Sequence, residues 1–220
     1  MEKSEKNKPL KIVLNILLGI FVFFCAIVAF FNFTHSYYVV VGPSMSPTLN
    51  SGIEGSGQQK DAVFVSKIKS YTRGDIIVIN KNYGEVDLEE KDVIKRLIAI
   101  EGDKIKIELI DGYYRIVLIK AGETEQKILE ENYLSDYSIN SHLYNNFTDM
   151  VRVYGLEVDQ NGFITIAKDS IFYVGDNRAR SSDCSIYGPK NKNAVIGKVD
   201  YIIYNNKNIY GQVLQQIFGW

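Results

Sequence analysis

The chain opens with a polar segment and continues into an apolar run, from Ile12 to Phe33, that contains no charged residue. As an α-helix this run would extend about 33 Å, enough to cross the roughly 30 Å hydrocarbon core of a bilayer. It is longer than the apolar region of a cleaved signal peptide, about 7–15 residues, and no small-x-small cleavage site follows it. The pattern therefore predicts an uncleaved transmembrane anchor at residues 12–33, between a tail of residues 1–11 and a domain of residues 34–220.

Beyond the anchor, the apolar positions form short alternating or continuous runs that are typical of β-strands. These runs lie within residues 37–41, 61–65, 73–79, 93–100, 104–118 and 194–199. Asp111 and Gly112 divide one of them and predict a hairpin turn. Residues 50–59 are interpreted as a flexible loop, and the Asn-, Ser- and Tyr-rich residues 135–149 as a long surface excursion. We therefore expect a mostly β fold behind a single N-terminal helix.

Composition narrows the possible functions. The 220 residues are 46% hydrophobic, sufficient for one core-forming domain, and the net charge of −1 argues against a nucleic-acid partner. Two cysteines, Cys25 and Cys184, and two histidines, His35 and His142, are scattered singly. The sequence therefore predicts neither a metal site nor another cofactor, and no disulfide, because Cys25 lies inside the predicted anchor.

The lysines are distributed unevenly about the apolar run. Four precede it within residues 1–11, and the next Lys or Arg after it is Lys60. Cytoplasmic flanks of membrane spans carry the excess of positive charge. We therefore expect a single-pass protein of the cell membrane with its N-terminus in the cytoplasm and residues 34–220 on the extracellular face.

A proline-rich stretch, Gly42 to Leu49, follows closely after the anchor. Ser44 directly follows Pro43, and Pro47 lies three residues further on. Proline fixes its own φ and restricts the residue before it, so the backbone around Ser44 has few accessible conformations. This rigidity suits a nucleophile that must meet a carbonyl in one geometry, and it equally suits an ordinary tight loop.

A second unusual position is Lys95, within the apolar run of residues 93–100. A lysine in an edge strand can extend its ammonium group into water. If Lys95 is instead desolvated, its charged form is disfavoured and its pKa falls. A shift from about 10.4 to roughly 7–8 corresponds to about 3–5 kcal/mol, which an apolar pocket can supply.

Four motifs follow the anchor in order, beginning at Ser44, Arg73, Lys95 and Gly175. They read Ser-Met-Ser-Pro-Thr-Leu, Arg-Gly-Asp-Ile-Ile-Val, Lys-Arg and Gly-Asp-Asn-Arg. Together they resemble the sequence boxes of the bacterial type I signal peptidases, in the single-anchor form similar to that of Gram-positive bacteria. The resemblance covers most of residues 12–199. It implies a β-rich extracellular catalytic domain with a variable β insertion at residues 103–168.

The resemblance also implies an activity, that of a membrane-anchored serine endopeptidase that removes signal peptides from exported preproteins. Ser44 would be the nucleophile and Lys95 the general base of a Ser–Lys dyad, without a cofactor. Met45 and Pro47 would contribute to substrate binding, in shallow apolar pockets that accept small side chains. The implied partners are signal-peptide-bearing preproteins and the lipid bilayer, and the oligomeric state is left open.

Residues of the fourth motif would support the dyad. By resemblance, Ser181 would hydrogen-bond the lysine and orient it. Asp183 and Arg178 would form a charge pair that braces the loop, and Asp176 would support the same network. A polar, solvated turn is the alternative interpretation of this Gly-Asp-Asn stretch.

Two positions depart from the family pattern: Cys184 stands for a serine and Ser185 for an arginine of the bracing network. Arg180 is the candidate substitute for that arginine. The departures motivate an alternative function, in which a catalytically impaired homologue acts as an assembly or chaperone factor for surface proteins such as pilins. A second alternative is a membrane-tethered β-domain that binds a partner through its aromatic surface.

Overall fold

The computed structural model describes residues 8–52, 60–83, 92–134 and 136–204. Its first helix, α1, spans Lys8–Thr34 and confirms the helix predicted from the apolar run. Within the described ranges, α1 is the one helix long and apolar enough to cross a membrane. The chain divides into two compact units, one ending at Ser36 and the other beginning at Tyr37.

The second unit is built mainly from β-strands, as predicted. In chain order they are β1 (His35–Val39), β2 (Ala62–Ser66), β3 (Ile76–Asn80), β4 (Asp92–Ile100), β5 (Lys104–Ile110), β6 (Tyr113–Ile119), β7 (Lys127–Ile128), β8 (Ile164–Thr165), β9 (Ser170–Val174), β10 (Lys190–Asn191) and β11 (Val195–Ile203). A seven-stranded sheet has the order β1-β2-β11-β3-β4-β9-β10, and a four-stranded sheet the order β7-β6-β5-β8. The hairpin β5–β6 turns at Asp111 and Gly112, both with positive φ, as the sequence predicts.

The prediction of a long surface excursion at residues 135–149 is wrong. A short 3₁₀ turn at Tyr137–Ile139 leads into helix α2, Asn140–Tyr154, which ends at Gly155 in the left-handed conformation. Its buried residues recur at helical spacing, namely Asn140, Leu143, Phe147 and Met150. The many Asn, Ser and Tyr residues that suggested a loop mostly occupy the other faces of this helix. Further along the chain, a single-turn helix, α3, spans Cys184–Tyr187.

Two hydrophobic clusters stabilise this unit. The larger one includes residues of both sheets, α2 and α3, among them Leu97, Ile116, Phe147, Phe172 and Cys184. The smaller one lies under the stretch that contains Ser44 and consists of Val40, Met45, Leu49, Val63, Val65 and Val78. Apolar side chains of that stretch are thus anchored in a core, which fixes the backbone between them.

Strand register brings the sequence motifs together. Lys95 of β4 pairs with Ile77 of β3, and the next residue, Arg96, pairs with Val174 of β9. Because β9 ends at Val174, the Gly-Asp-Asn loop begins beside the Lys-Arg pair. Residues 1–7 and 205–220, and most of the predicted loop at 50–59, lie outside the described residues.

Candidate active site

The stretch that carries Ser44 is a compact turn. The Ser46 amide donates to the Pro43 carbonyl over 3.1 Å, and the Leu49 amide donates to the Met45 carbonyl over 2.9 Å. Met45 and Leu49 are buried below this turn, whereas Ser44 is half-buried. The turn therefore holds the Ser44 side chain above a packed apolar base.

Lys95 reaches this serine from β4. Its Nζ lies 2.8 Å from Ser44 Oγ and donates a second hydrogen bond to the Ile94 carbonyl over 3.2 Å. Only 3% of Lys95 is exposed, so its ammonium group does not extend freely into water. The structure thus brings together the two residues that the sequence singled out, although they are 51 positions apart.

Burial lowers the pKa of Lys95 from 10.5 to about 8. Desolvation, which disfavours the charged ammonium form, is the largest cause. The carboxylates of Asp183 and Asp176 oppose it, whereas the charge of Lys81 adds to it. A substantial neutral fraction is therefore available at mildly alkaline pH.

Asp176 connects the three segments that meet at the site. Its carboxylate accepts from Arg96 Nε and Nη2 over 2.8 and 2.6 Å, and from Thr48 Oγ1 over 2.5 Å. Arg96 also donates to the Gly74 carbonyl over 2.8 Å. Since Thr48 follows Ser44 and Arg96 follows Lys95, this buried carboxylate fixes the segments that carry both residues.

We expect Asp176→Ala to lower the free energy of unfolding by about 3–5 kcal/mol, because it leaves the buried Arg96 guanidinium without its counter-charge. Denaturant unfolding of the full chain in detergent would measure the change. Asp149→Ala is the matched control, since Asp149 pairs with Arg152 on the surface and both side chains are mostly exposed. Equal stability of the two variants would contradict the structural role given to Asp176.

Gly175 lies where the Gly-Asp-Asn loop meets the serine turn. The Asn177 amide donates to the Ser44 carbonyl over 3.0 Å, which joins the two backbones directly. A Cβ on Gly175 would approach the Ser44 carbonyl oxygen and the Ser181 side chain more closely than 3.0 Å, nearer than Cβ atoms come in proteins. Only glycine permits this approach.

Arg178 and Asp183 do not form the expected charge pair, and each of them binds other residues. Arg178 forms a fully buried ion pair with Glu131 and donates to Asn140 Oδ1 over 2.6 Å. Asp183 instead accepts from the Gly175 amide over 2.9 Å and from Ser185 Oγ over 2.7 Å. Arg178 therefore connects this loop to the insertion, which the resemblance did not indicate.

The whole arrangement can be compared with known proteins. The model of the family described as signal peptidase, peptidase S26, matches residues 13–204. The chain belongs to this family. The match includes the serine turn, Lys95 and the Gly-Asp-Asn loop.

Individual relatives agree with this assignment. The chain is 32% identical over 189 residues to signal peptidase I of Bacillus caldolyticus, covering 82% of this chain and 86% of that protein. It is 28% identical over 210 residues to signal peptidase I P of Bacillus subtilis subsp. natto, covering 92% and 93%. A signal peptidase I structure from Enterococcus faecalis overlaps 60% of this chain and 99% of that one, at 21% identity and a TM-score of 0.34. The family assignment rests on the sequence matches.

Ser181, predicted from the family pattern to orient the lysine, is buried in this loop. Within the part of the chain that the structure describes, its Oγ has no hydrogen-bond partner. The Lys95 amine, with two hydrogen bonds made, can still donate another. The contact between Ser181 and Lys95 stays a prediction.

The departures from the signal peptidase pattern are accommodated in the core. Cys184 is fully buried in the larger cluster, and Ser185, 2% exposed, donates to Asp183 from its amide and its hydroxyl. Arg180 is exposed and has no ion pair among the described residues. It therefore does not replace the missing arginine, and Ser185 itself holds Asp183.

The substrate-binding role predicted for Met45 and Pro47 remains a prediction. Met45 is 2% exposed and its side chain packs into the smaller cluster, whereas Pro47 is exposed.

No group of three His, Cys, Asp or Glu residues that could hold a metal occurs among the described residues. His35 bonds to Thr34 at the end of α1, and His142 is exposed on α2. Among the described residues, neither histidine forms a hydrogen bond with Ser44. The Ser44 side chain contacts Lys95 instead.

Proposed function

We propose that this chain is a membrane-anchored serine endopeptidase that removes signal peptides from exported preproteins, with Ser44 as nucleophile and Lys95 as general base. The observation that carries the proposal is the 2.8 Å contact between Lys95 Nζ and Ser44 Oγ in a largely desolvated setting. Membership in the signal peptidase family supports the same reaction and substrate class. Neither the comparisons nor the described residues favour the assembly-factor alternative.

The first half of the reaction forms an acyl-enzyme. Neutral Lys95 accepts the Ser44 hydroxyl proton as Oγ attacks the carbonyl carbon of the scissile peptide bond. The resulting ammonium then gives a proton to the departing amine, so the amine leaves neutral. The 2.8 Å separation suits the first transfer, because Lys95 Nζ lies within hydrogen-bonding reach of the proton that it accepts from Ser44 Oγ.

The second half restores the enzyme. Lys95, neutral again, takes a proton from water as the water attacks the Ser44 ester, and it returns this proton to Ser44 Oγ as the ester bond breaks. The signal peptide is released with a free carboxyl group, which ionises in water. The negative oxygen that forms in each half needs hydrogen-bond donors. The Ser44 amide has no acceptor within the described residues and is the proposed backbone donor. The residue two positions earlier, Gly42, has no side chain to add a second donor.

The short connection between α1 and Ser44 supports a site close to the bilayer. Ser44 is the tenth residue after Thr34, the end of α1, which limits the distance between them to about 33–36 Å. We propose that α1 is the anchor, with the N-terminus in the cytoplasm and residues 34–220 on the extracellular face, because the lysines cluster before α1. A site on that face would meet a signal-peptide cleavage site as it leaves the membrane.

The full chain in detergent, incubated with a purified preprotein, tests the activity. We expect a single cut at the end of the signal peptide, after a small residue, which sequencing of the new N-terminus would identify. A preprotein with a bulky residue before the cleavage site is the matched control and should stay uncut. Absence of cleavage across several preproteins, or cleavage elsewhere in folded regions, would overturn the proposal.

Activity should depend on pH through Lys95. Only the neutral amine accepts the proton, so kcat/KM should rise about tenfold per pH unit below pH 8 and level off above it. Burial lowers the pKa of Lys95, so the neutral amine forms at a lower pH than in a solvated lysine and the rate increases as the pH rises toward 8. Initial rates over a pH series, with circular dichroism to check folding, would measure the profile. A rate that still rises at about pH 10.4 would indicate a solvated lysine and would contradict the prediction.

A further inference from the structure

The insertion contributes a set of buried side chains that touch the site's supporting residues. The ring of Tyr133 lies under Arg96, with the guanidinium carbon 3.8 Å from the ring centre. The Tyr133 hydroxyl donates to Glu131 over 2.8 Å, and Arg178 Nη2 donates to Tyr133 Oη over 3.3 Å. Asn140 accepts from Arg178 over 2.6 Å. One aromatic side chain thus contacts both buried arginines.

Each arginine contacts a different part of the site. Arg96 follows Lys95 directly and binds Asp176, which in turn accepts from Thr48. Arg178 Nε donates to the Gly175 carbonyl over 3.0 Å, at the point where the loop approaches Ser44. Burial raises the pKa of Tyr133, so the phenol keeps its proton and its ring remains a neutral platform for Arg96.

We propose that Tyr133 and Glu131, together with Asn140 of α2, are positioning residues for the Ser44–Lys95 pair. Tyr133 holds Arg96 flat against Asp176, and Glu131 with Asn140 holds Arg178 against the Gly175 carbonyl. The insertion thereby sets the geometry of the reacting pair without touching it. This inference rests on the proposed function. It gives the insertion a role in positioning the reacting pair, in addition to its structural role.

The test compares Tyr133→Leu, which removes the ring, with Tyr133→Phe, which keeps it. For the full chain in detergent acting on one preprotein, we expect Tyr133→Leu to lower kcat about tenfold or more with little change in KM, because a small misplacement of the reacting groups is costly. Tyr133→Phe should stay within about threefold of the wild type, since the contact with Arg96 survives. Tyr113→Leu, an exposed tyrosine of the same insertion, is the matched control and should be unchanged.

A pH profile separates positioning from general stability. The groups that act on Lys95 are Asp183 and Asp176, whose carboxylates raise its pKa, Lys81, which lowers it, and Cys184. Loss of the Tyr133 ring frees Arg96, so Asp176 is less neutralised and favours the ammonium form more strongly. The pH midpoint of Tyr133→Leu should therefore rise by roughly 0.5, whereas that of Tyr133→Phe should not move.

Three outcomes would overturn the inference. The first is a folded Tyr133→Leu enzyme with wild-type kcat, KM and pH midpoint, and the second is a change in melting temperature alone. If Tyr133→Leu does not fold, Glu131→Gln is tested in its place, and we expect it to lower kcat severalfold at constant KM. Wild-type kinetics of Glu131→Gln is the third outcome that would overturn the inference. If the wild type cleaves no preprotein, the proposed function fails first. NMR titration of Lys95 in wild type and Tyr133→Leu then decides whether the insertion affects this amine, and equal midpoints refute it.

Discussion

Ser44→Ala and Lys95→Ala should each reduce preprotein cleavage at least about a thousandfold while the fold is retained. Ser44→Ala removes the atom that attacks the carbonyl, and Lys95→Ala removes the group that takes its proton. Because the two act as one unit across a 2.8 Å contact, the double variant should be no slower than either single variant. Cleavage rates with a purified preprotein, over long incubations, would measure all three.

Two further substitutions control this result, one at a neighbouring serine and one at Lys95 itself. Ser46→Ala removes a neighbouring hydroxyl, which among the described residues donates to the Leu49 carbonyl over 3.5 Å, and should retain most of the activity. Lys95→Met replaces the lysine with an unbranched apolar side chain of similar volume that lacks the amine, so it should be as inactive as Lys95→Ala and remain folded. Near-wild-type cleavage by either Lys95 variant at neutral pH would exclude the proposed dyad.

Gly175→Ala should reduce cleavage by about a hundredfold or more, the cost expected when reacting groups are displaced by about 1 Å. The added methyl group would overlap the Ser44 carbonyl oxygen and the Ser181 side chain, so the serine turn and the Gly-Asp-Asn loop must separate. That movement would also lengthen the hydrogen bond from the Asn177 amide to the Ser44 carbonyl. Cleavage rates and thermal melting of the full chain would measure the effect.

Ser182→Ala, at an exposed position of the same loop, is the control for Gly175→Ala and should be active. Adding Ser181→Gly to Gly175→Ala removes one of the two overlaps. Activity should stay low, because the overlap with the Ser44 carbonyl cannot be removed by a side-chain change. A fully active Gly175→Ala enzyme would show that the two segments can separate without consequence, and that their close approach does not position Ser44.

Local sequence determined the main elements of this protein. The uncharged run at residues 12–33 predicts α1 because helix length and hydropathy are properties of consecutive residues. Alternation and turn residues predict β4, β11 and the hairpin at Asp111 for the same reason. A serine between prolines also suits an ordinary loop, and a lysine within an apolar run also suits an edge strand. Ser44 and Lys95 were identifiable because their motifs, taken in order, resemble those of one family.

Tertiary structure decided which side chains meet. The family resemblance implied Asp183 as the partner of Arg178, but the fold supplies Glu131, 47 positions earlier, because that carboxylate is buried beside it. Helix α2 was missed because its polar faces outweighed three buried apolar residues in composition. The requirement for glycine at position 175 follows from the close approach of the Gly-Asp-Asn loop to the serine turn, which only the tertiary structure shows. Contacts between distant segments depend on strand register and core packing, which no local pattern records, and these contacts determine how the Ser44–Lys95 pair is held.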